Sequence, residues 1–350
     1  MASDFDPGAI ARIVVRSPNW LGDAVMALPA MAAARRAFPR STLAVAAPRS
    51  VAPLFEEITD AAPDEVLVVE ERSEVAALRA GRFDLAILFP NSFRSAWAAR
   101  RAGIAHRWGA RTGGRGLLLT RRAGRPARHR HQAARYLDMA EAFGLSAADP
   151  LPRLAVTAGT RQRADALLSG LGIGASMALV GIAPGAAYGH AKRWPPARVA
   201  ELTVRLAGLG ATVVLVGAGA DRDAGREIES ALPAAARVAN LIGRTDLRLL
   251  TGVLERCRAF VSNDSGAMHL AAAIGVPVTA IFGPTDERIT APAGATGSQS
   301  THDVILHPVF CRPCMLRDCP IDHRCMKRIS VDRVFGAVAA RLPQGAPGPT

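Results

Sequence analysis

Aromatic residues are scarce in this chain: Phe, Trp and Tyr make up 5% of its 350 residues. Ala, Val and Leu must therefore build its interior. Lysine is nearly absent, with only Lys192 and Lys327 among 43 basic residues. Where arginine is the default cation, a lysine marks a place that wants a compact point charge. Long apolar runs are missing too. Leu171 to His190 carries no Asp, Glu, Lys or Arg, but it is rich in Gly and reads as a buried strand with loops, not a membrane span. Asp4 and Asp6 stand near the start, and no apolar segment follows a basic one, so no secretory signal is expected. The expected location is the cytoplasm, at most peripheral on the inner membrane. Cysteine is sparse, but four of the five fall within Cys311–Cys325. In a reducing compartment these are thiols or metal ligands, not disulfides.

One further absence is local. From Arg94 to Arg135 there is no Asp or Glu, while twelve arginines occur: 94, 100, 101, 107, 111, 115, 121, 122, 125, 128, 130 and 135. Their spacing is irregular and broken by Gly and Pro, which argues against a DNA-reading helix. Two readings stand: a solvated face, or a docking patch for an acidic substrate. The net charge of +13 favours anionic partners such as phosphates, acidic sugars, a membrane surface or nucleic acid.

The length suggests two domains, and 49% hydrophobic content supplies their cores. Short β-branched runs alternate with helical spacing. Strands are expected at 10–16, 42–46, 65–69 and 83–89, then at 178–183, 212–217, 238–242, 259–262 and 278–282. Helices are expected at 24–38, bent or divided by Pro29, and at 132–143, 161–171, 196–209, 221–232, 247–256 and 265–274. This rhythm implies βαβ units with parallel sheets, and it occurs twice. The fold expected is α/β, two Rossmann-like doubly wound domains with a cleft between them. In such sheets ligands bind beyond the carboxyl ends of the strands, so the residues that follow strands carry the function.

After the first strand comes S-P-N-W-L-G-D, 17–23. Asp23 is either an N-cap or a carboxylate free to accept a proton from a hydroxyl. P-N-S-F, 90–93, ends another strand; its amide and hydroxyl bind sugar hydroxyls or cap the next helix. The loop after the strand at 178–183 reads G-I-A-P-G-A-A-Y-G-H-A-K-R-W-P, 181–195. It is either a long solvated loop or a phosphate wrap with Lys192 or Arg193 as its charge; it is not a Walker loop. V-G-A-G-A-D, 216–221, is only a fragment of a dinucleotide fingerprint. N-D-S-G-A-M-H, 263–269, sits at a strand-to-helix junction. Asn263 or Asp264 could simply cap the helix. Alternatively the amides of Ser265, Gly266 and Ala267, with His269, hold a diphosphate. Asp264 must then face away from the phosphates or orient His269 or Lys192.

These motifs, in this order, resemble the bacterial heptosyltransferases, glycosyltransferase family 9. They include P-N-W-L-G-D at 18–23, P-N-S-F at 90–93 and H-Q-A-A-R-Y-L at 131–137. A-P-G-A-x-x-G-x-A-K-R-W-P at 183–195, N-D-S-G-x-M-H at 263–269, G-P-T at 283–285 and the cysteine cluster complete the set. The cysteines and P-N-S-F point to the branch that adds the second heptose. The resemblance implies a GT-B fold and inverting, metal-independent transfer of heptose from ADP-heptose to a Kdo2-lipid A core acceptor. It implies an N-terminal acceptor-binding domain over 1–158, a connector over 159–176, an ADP-heptose-binding domain over 177–330, and a C-terminal helix with a disordered tail over 331–350.

Carried over residue by residue, Asp23 is the expected general base and Lys192 the catalytic cation. Gly185, Lys192, Arg193, Asp221, Asp264, Ser265, Gly266 and His269 are expected on the donor; Asp221 is a guess for a ribose-binding acid. Asn19, Trp20, Asn91, Ser92, Arg94 and Arg121 are expected on the acceptor. No cofactor is required. Cys311, Cys314, Cys319 and Cys325 follow C-x2-C-x4-C-x5-C, which suits either a structural zinc or iron–sulfur site or a reduced thiol cluster. The alternatives are transfer to another core acceptor (the first or third heptose), a non-hydrolysing epimerase on the same fold, or a basic nucleic-acid-binding protein. The last leaves 183–195 and 263–269 unexplained, so no nucleic-acid partner is expected.

Overall fold

A computed structural model describes residues 6–125, 127, 129–233, 236, 238–295 and 300–342. Asp4, Arg128 and the tail expected beyond 342 lie outside the described residues. The chain divides into two compact units, Met1–Ala155 and Val156–Thr350.

The first unit runs β1 (Arg12–Arg16), α1 (Leu21–Ala37), β2 (Thr42–Ala47), β3 (Ile58–Thr59), β4 (Glu65–Val68), α2 (Glu74–Ala80) and β5 (Leu85–Leu88). It continues with α3 (Phe93–Arg101), β6 (His106–Ala110), β7 (Arg121–Ala123), α4 (Gln132–Glu141) and β8 (Leu154–Ala155). Six strands form a parallel sheet in the order β4-β2-β1-β5-β6-β7. Ile13, Val14 and Val15 of β1 are all buried, so both faces of the sheet are covered, as continuous apolar strands require. β3 and β8 pair antiparallel beside it.

Pro29 does not divide α1, which is one helix. Every residue from Ala24 to Ala34 is buried, and α1 packs against α4. An internal proline costs about 3 kcal/mol. Burying the Val, Met and Leu side chains here returns roughly 1.5–3 kcal/mol each, so packing wins.

The second unit runs α5 (Ala158–Gly170), β9 (Leu179–Ala183), α6 (Pro196–Gly208), β10 (Thr212–Leu215), α7 (Arg222–Ser230), β11 (Val238–Asn240) and α8 (Leu247–Glu255). Then come β12 (Ala259–Asn263), α9 (Gly266–Ile274), β13 (Val278–Phe282), α10 (Glu287–Thr290), β14 (Asp303–Leu306), α11 (Arg324–Lys327) and α12 (Val331–Ala339). Its parallel sheet is ordered β11-β10-β9-β12-β13-β14. The order reverses between β9 and β12, which is where such sheets open a crevice. The 159–176 stretch, expected as a connector, is mostly α5. Thr160, Ala164 and Leu168 of α5 are buried and the helix packs on α8, so it is folded into the second unit. α12 belongs there too, with Val331, Val334 and Val338 in the core. Among the described residues, no helix is long and apolar enough to cross a membrane.

Candidate functional site

In the second unit the two long motifs meet at the β9–β12 reversal. Asn263 is the last residue of β12 and caps no helix. Its amide donates to the carbonyls of Pro184 (2.8 Å) and Gly185 (3.3 Å), and its carbonyl accepts from the Trp194 amide at 3.1 Å. One side chain thus pins both ends of the 184–194 loop. Each such bond contributes about 1 kcal/mol, and leaving these buried groups unmade would cost more.

Asp264 does not cap the helix either. Its carboxylate sits 2.6 Å from Lys192 Nζ, and both side chains are buried. The ammonium also lies over the Tyr188 ring, 4.7 Å from its centroid. Asp264 therefore fixes Lys192 at the start of α9. Ser265 is the N-cap residue, yet its side chain caps no amide; its hydroxyl pairs with that of Ser262 at 2.9 Å. The first amides of α9 thus carry no side-chain cap among the described residues, and the dipole adds positive potential there. His269, one turn in, is buried.

Arg193 pairs with Asp221 at 3.1 Å, and Asp221 also accepts from the Ala218 amide at 3.2 Å. A Cβ on Gly185 would fall 2.1 Å from the Asp221 carboxyl carbon. Gly185 is thus glycine to admit Asp221, and Asp221 acts on Arg193 and the loop backbone. Asp221, expected on the donor, thus also bonds Arg193 and the loop backbone.

The cysteine loop has a part that sequence reasoning missed. The carbonyl of Arg317 accepts from the Ala191 amide at 2.9 Å, and the carbonyl of Met315 accepts from the Tyr188 hydroxyl at 3.0 Å. A Cβ on Gly189 would lie 2.4 Å from the Arg317 carbonyl oxygen. The loop between the cysteines is therefore a wall of the Lys192 loop. Cys319 Sγ accepts from the His323 amide at 3.3 Å. Burial opposes the Cys319 thiolate, but the amides of Ile321, His323 and Asp322 outweigh it and lower the thiol's pKa. Burial raises that of Cys325. Among the described residues, no three His, Cys, Asp or Glu side chains are placed to share a metal ion.

In the first unit, Trp20 is the N-cap residue of α1 and Asp23 its third helical residue, so the N-cap reading of Asp23 does not hold. Its carboxylate, favoured by the helix dipole, accepts a hydrogen bond from Tyr136 Oη at 3.0 Å. Tyr136 is buried, edge-on to Phe89 at 5.6 Å. Burial first, then the Asp23 charge, pushes the phenol's pKa well above its usual value, so it stays a donor. The residue comes from H-Q-A-A-R-Y-L, 131–137, and no sequence signal linked it to Asp23, 113 positions away.

The expected acceptor residues divide. Trp20 is 63% exposed. Asn19 accepts from Arg16 at 2.8 Å, and Arg16 pairs with buried Glu74 at 2.7 Å. Arg94 is held by Glu71 and Glu74. Asn19, Arg16, Glu71, Glu74 and Arg94, but not Trp20, line a pocket of about 630 Å³ beyond β1, β2 and β4, where Arg49 also pairs with Glu70; its charges are balanced. Ser92 caps α3, accepting from Ser95. Asn91 accepts from fully buried Arg115 at 3.5 Å. Arg115 also donates to the carbonyls of Ala110 (2.9 Å) and Pro90, and burial lowers its pKa to about 10. Arg121 lies over Trp108, 5.0 Å from the centroid. Asn91, Ser92, Arg94 and Arg121 thus each have a partner within their own unit.

Both sheets are parallel and doubly wound, and the second presents an uncapped helix start beside a held lysine. The model of glycosyltransferase family 9 (heptosyltransferase) matches residues 72–323, and the chain belongs to this family. It is 35% identical to lipopolysaccharide heptosyltransferase 2 of Escherichia coli K12 over 80% of this chain and 85% of that one. Its fold matches the structure of E. coli ADP-heptose lps heptosyltransferase II with TM-score 0.78 and 31% identity, covering 94% of this chain and 98% of that chain. E. coli heptosyltransferase WaaC with ADP shares the fold at TM-score 0.71 and 20% identity, over 95% of this chain and all of that one.

Proposed function

We propose that this chain is an inverting, metal-independent heptosyltransferase that adds the second heptose of the lipopolysaccharide inner core. It moves L-glycero-D-manno-heptose from ADP-heptose onto heptosyl-Kdo2-lipid A, as a protein peripheral on the inner face of the cytoplasmic membrane. The observation that carries this reading is the Lys192–Asp264 pair at the uncapped start of α9, in a chain similar to lipopolysaccharide heptosyltransferase 2 over most of its length.

The acceptor hydroxyl loses its proton to Asp23 as its oxygen bonds to the anomeric carbon. The bond from that carbon to the β-phosphate oxygen breaks, and ADP departs with the electron pair. Charge then grows on the β-phosphate. Lys192, the amides at 265–267 and His269 stabilise it, which is the larger electrostatic contribution. Asp264 keeps the ammonium extended at the start of α9 until the phosphate arrives. Arg193, held by Asp221 beneath Gly185, adds a second cation to the donor loop. Asn19 and Trp20 face the acceptor sugars. Asn91, Ser92, Arg94 and Arg121 support that surface from within the fold. The cysteines serve as reduced thiols in the loop that backs Lys192.

The test is transfer from ADP-heptose to core acceptors carrying zero or one heptose. Transfer to the one-heptose acceptor is expected; transfer only to the zero-heptose acceptor overturns the assignment. The same preparation, made without chelator, is expected to carry no stoichiometric zinc or iron and to keep its activity in EDTA. Stoichiometric metal would overturn the thiol reading.

A further inference from the structure

The acid-free stretch hides two kinds of arginine. Most are engaged internally. Arg107 donates to the carbonyls of Leu118, Ile104 and Ala105, Arg115 is buried, Arg121 stacks on Trp108, and Arg130 pairs with Asp138. Arg111, Arg122 and Arg125 differ. They are exposed and make no ion pair or side-chain hydrogen bond among the described residues. Together they line a pocket of about 260 Å³ with Thr112 and the Gly113–Gly114 turn. Leu117 lies on the same rim, on a one-turn 3-10 helix at 115–118, and is 84% exposed. Three unpaired cations cost nothing in water, but an aliphatic side chain held out into solvent lacks a partner. Cations to attract headgroups beside an aliphatic tip to insert form the pattern of an interfacial anchor.

We propose that this corner of the first unit docks on an anionic lipid bilayer, with Arg111, Arg122 and Arg125 on headgroup phosphates and Leu117 in the acyl boundary. The proposal rests on the heptosyltransferase reading only in giving the surface a purpose, since a lipid-anchored acceptor must be met at the membrane. Charge complementarity selects the bilayer. The sequence from Arg94 to Arg135 contains no acid that would repel it.

The full chain should co-sediment with vesicles of 30% phosphatidylglycerol in phosphatidylcholine and not with pure phosphatidylcholine, and the binding should fall with salt. Each arginine near an anionic surface strengthens binding about fivefold. Arg122→Ala with Arg125→Ala is therefore expected to weaken it about twenty-five-fold. Leu117→Ser should weaken it about tenfold, from lost aliphatic burial. All three positions are exposed, so thermal melts should match the parent. Equal binding to uncharged vesicles, or variants that bind as the parent does, would overturn the proposal. So would displacement by millimolar inorganic phosphate, which would make the pocket a single-anion site, or a preference for RNA over vesicles. These vesicles contain no core sugar, so the outcome is independent of whether heptose is transferred.

Discussion

The two parallel sheets carry their key charges in different ways. In the second unit each strand-end cation is locked to an acid: Lys192 to Asp264 and Arg193 to Asp221. In the first unit the key group is an acid, and a neutral phenol, Tyr136, donates to it. An ion pair fixes position and lowers the field the cation offers until a second anion arrives. A hydrogen bond from a phenol fixes position without setting a charge of its own against the carboxylate. The first arrangement suits a receiver of phosphate, the second a receiver of a proton. The same chain also shows that a buried ion pair is not by itself a sign of function, because Arg16–Glu74 is buried too and serves to shape a charge-balanced pocket.

The largest effect should come from removing the carboxylate. Asp23→Asn keeps an acceptor for Tyr136 but no base. Loss of general base catalysis typically costs 10²–10⁴-fold, and kcat is expected to fall by about that much while ADP binding, measured by calorimetry, stays unchanged. Near-normal turnover would break the contrast, leaving Asp23 as an ordinary first-turn acid.

Next comes Lys192→Ala. As a leaving-group stabiliser it should cost about 10²–10³-fold in kcat and weaken ADP binding. It also strands Asp264 as a buried, unpaired carboxylate, at about 3–5 kcal/mol of stability. The double change Lys192→Met with Asp264→Leu separates the two effects. Denaturant melts should recover most of the stability, because an apolar pair can replace a buried ion pair. Activity should stay low. Recovery of both would make the pair structural only.

These pairings explain what could be read from the sequence and what could not. The nine strands expected from the chain all exist, most with ends shifted by one or two residues, because β-branched runs and glycine stops are local signals. The helix α3 and strands β6 and β7 carry arginines that mask the apolar pattern, so the sequence alone does not mark them. Arg107 sits in β6 with its guanidinium turned back onto carbonyls, and no composition rule anticipates that. In the sequence Lys192 stands out as one of two lysines, and Asp264 as an acid beside an expected phosphate site. That each is the reason for the other depends on a contact across 72 positions. Glycine told the most where packing was tight: Gly185 and Gly189 are explained by Asp221 and Arg317, neither of which adjoins them in sequence.

The smallest effect, and the sharpest test of the comparison, is Tyr136→Phe. The ring still fills its place against Phe89, so stability should change by about 1 kcal/mol, the value of one hydrogen bond. The phenol donates to the charged form of Asp23 and so favours the carboxylate. Without it the carboxyl pKa rises, and the acidic limb of the kcat profile should move to higher pH. At the optimum kcat should fall about tenfold, roughly what one positioning hydrogen bond of about 1.4 kcal/mol supplies, with KM for ADP-heptose unchanged. A purely structural tyrosine would show the same small loss of stability but leave kcat and the pH profile where they were. A shifted limb at unchanged KM is the signature that the Tyr136 donor tunes the carboxylate that takes up the proton.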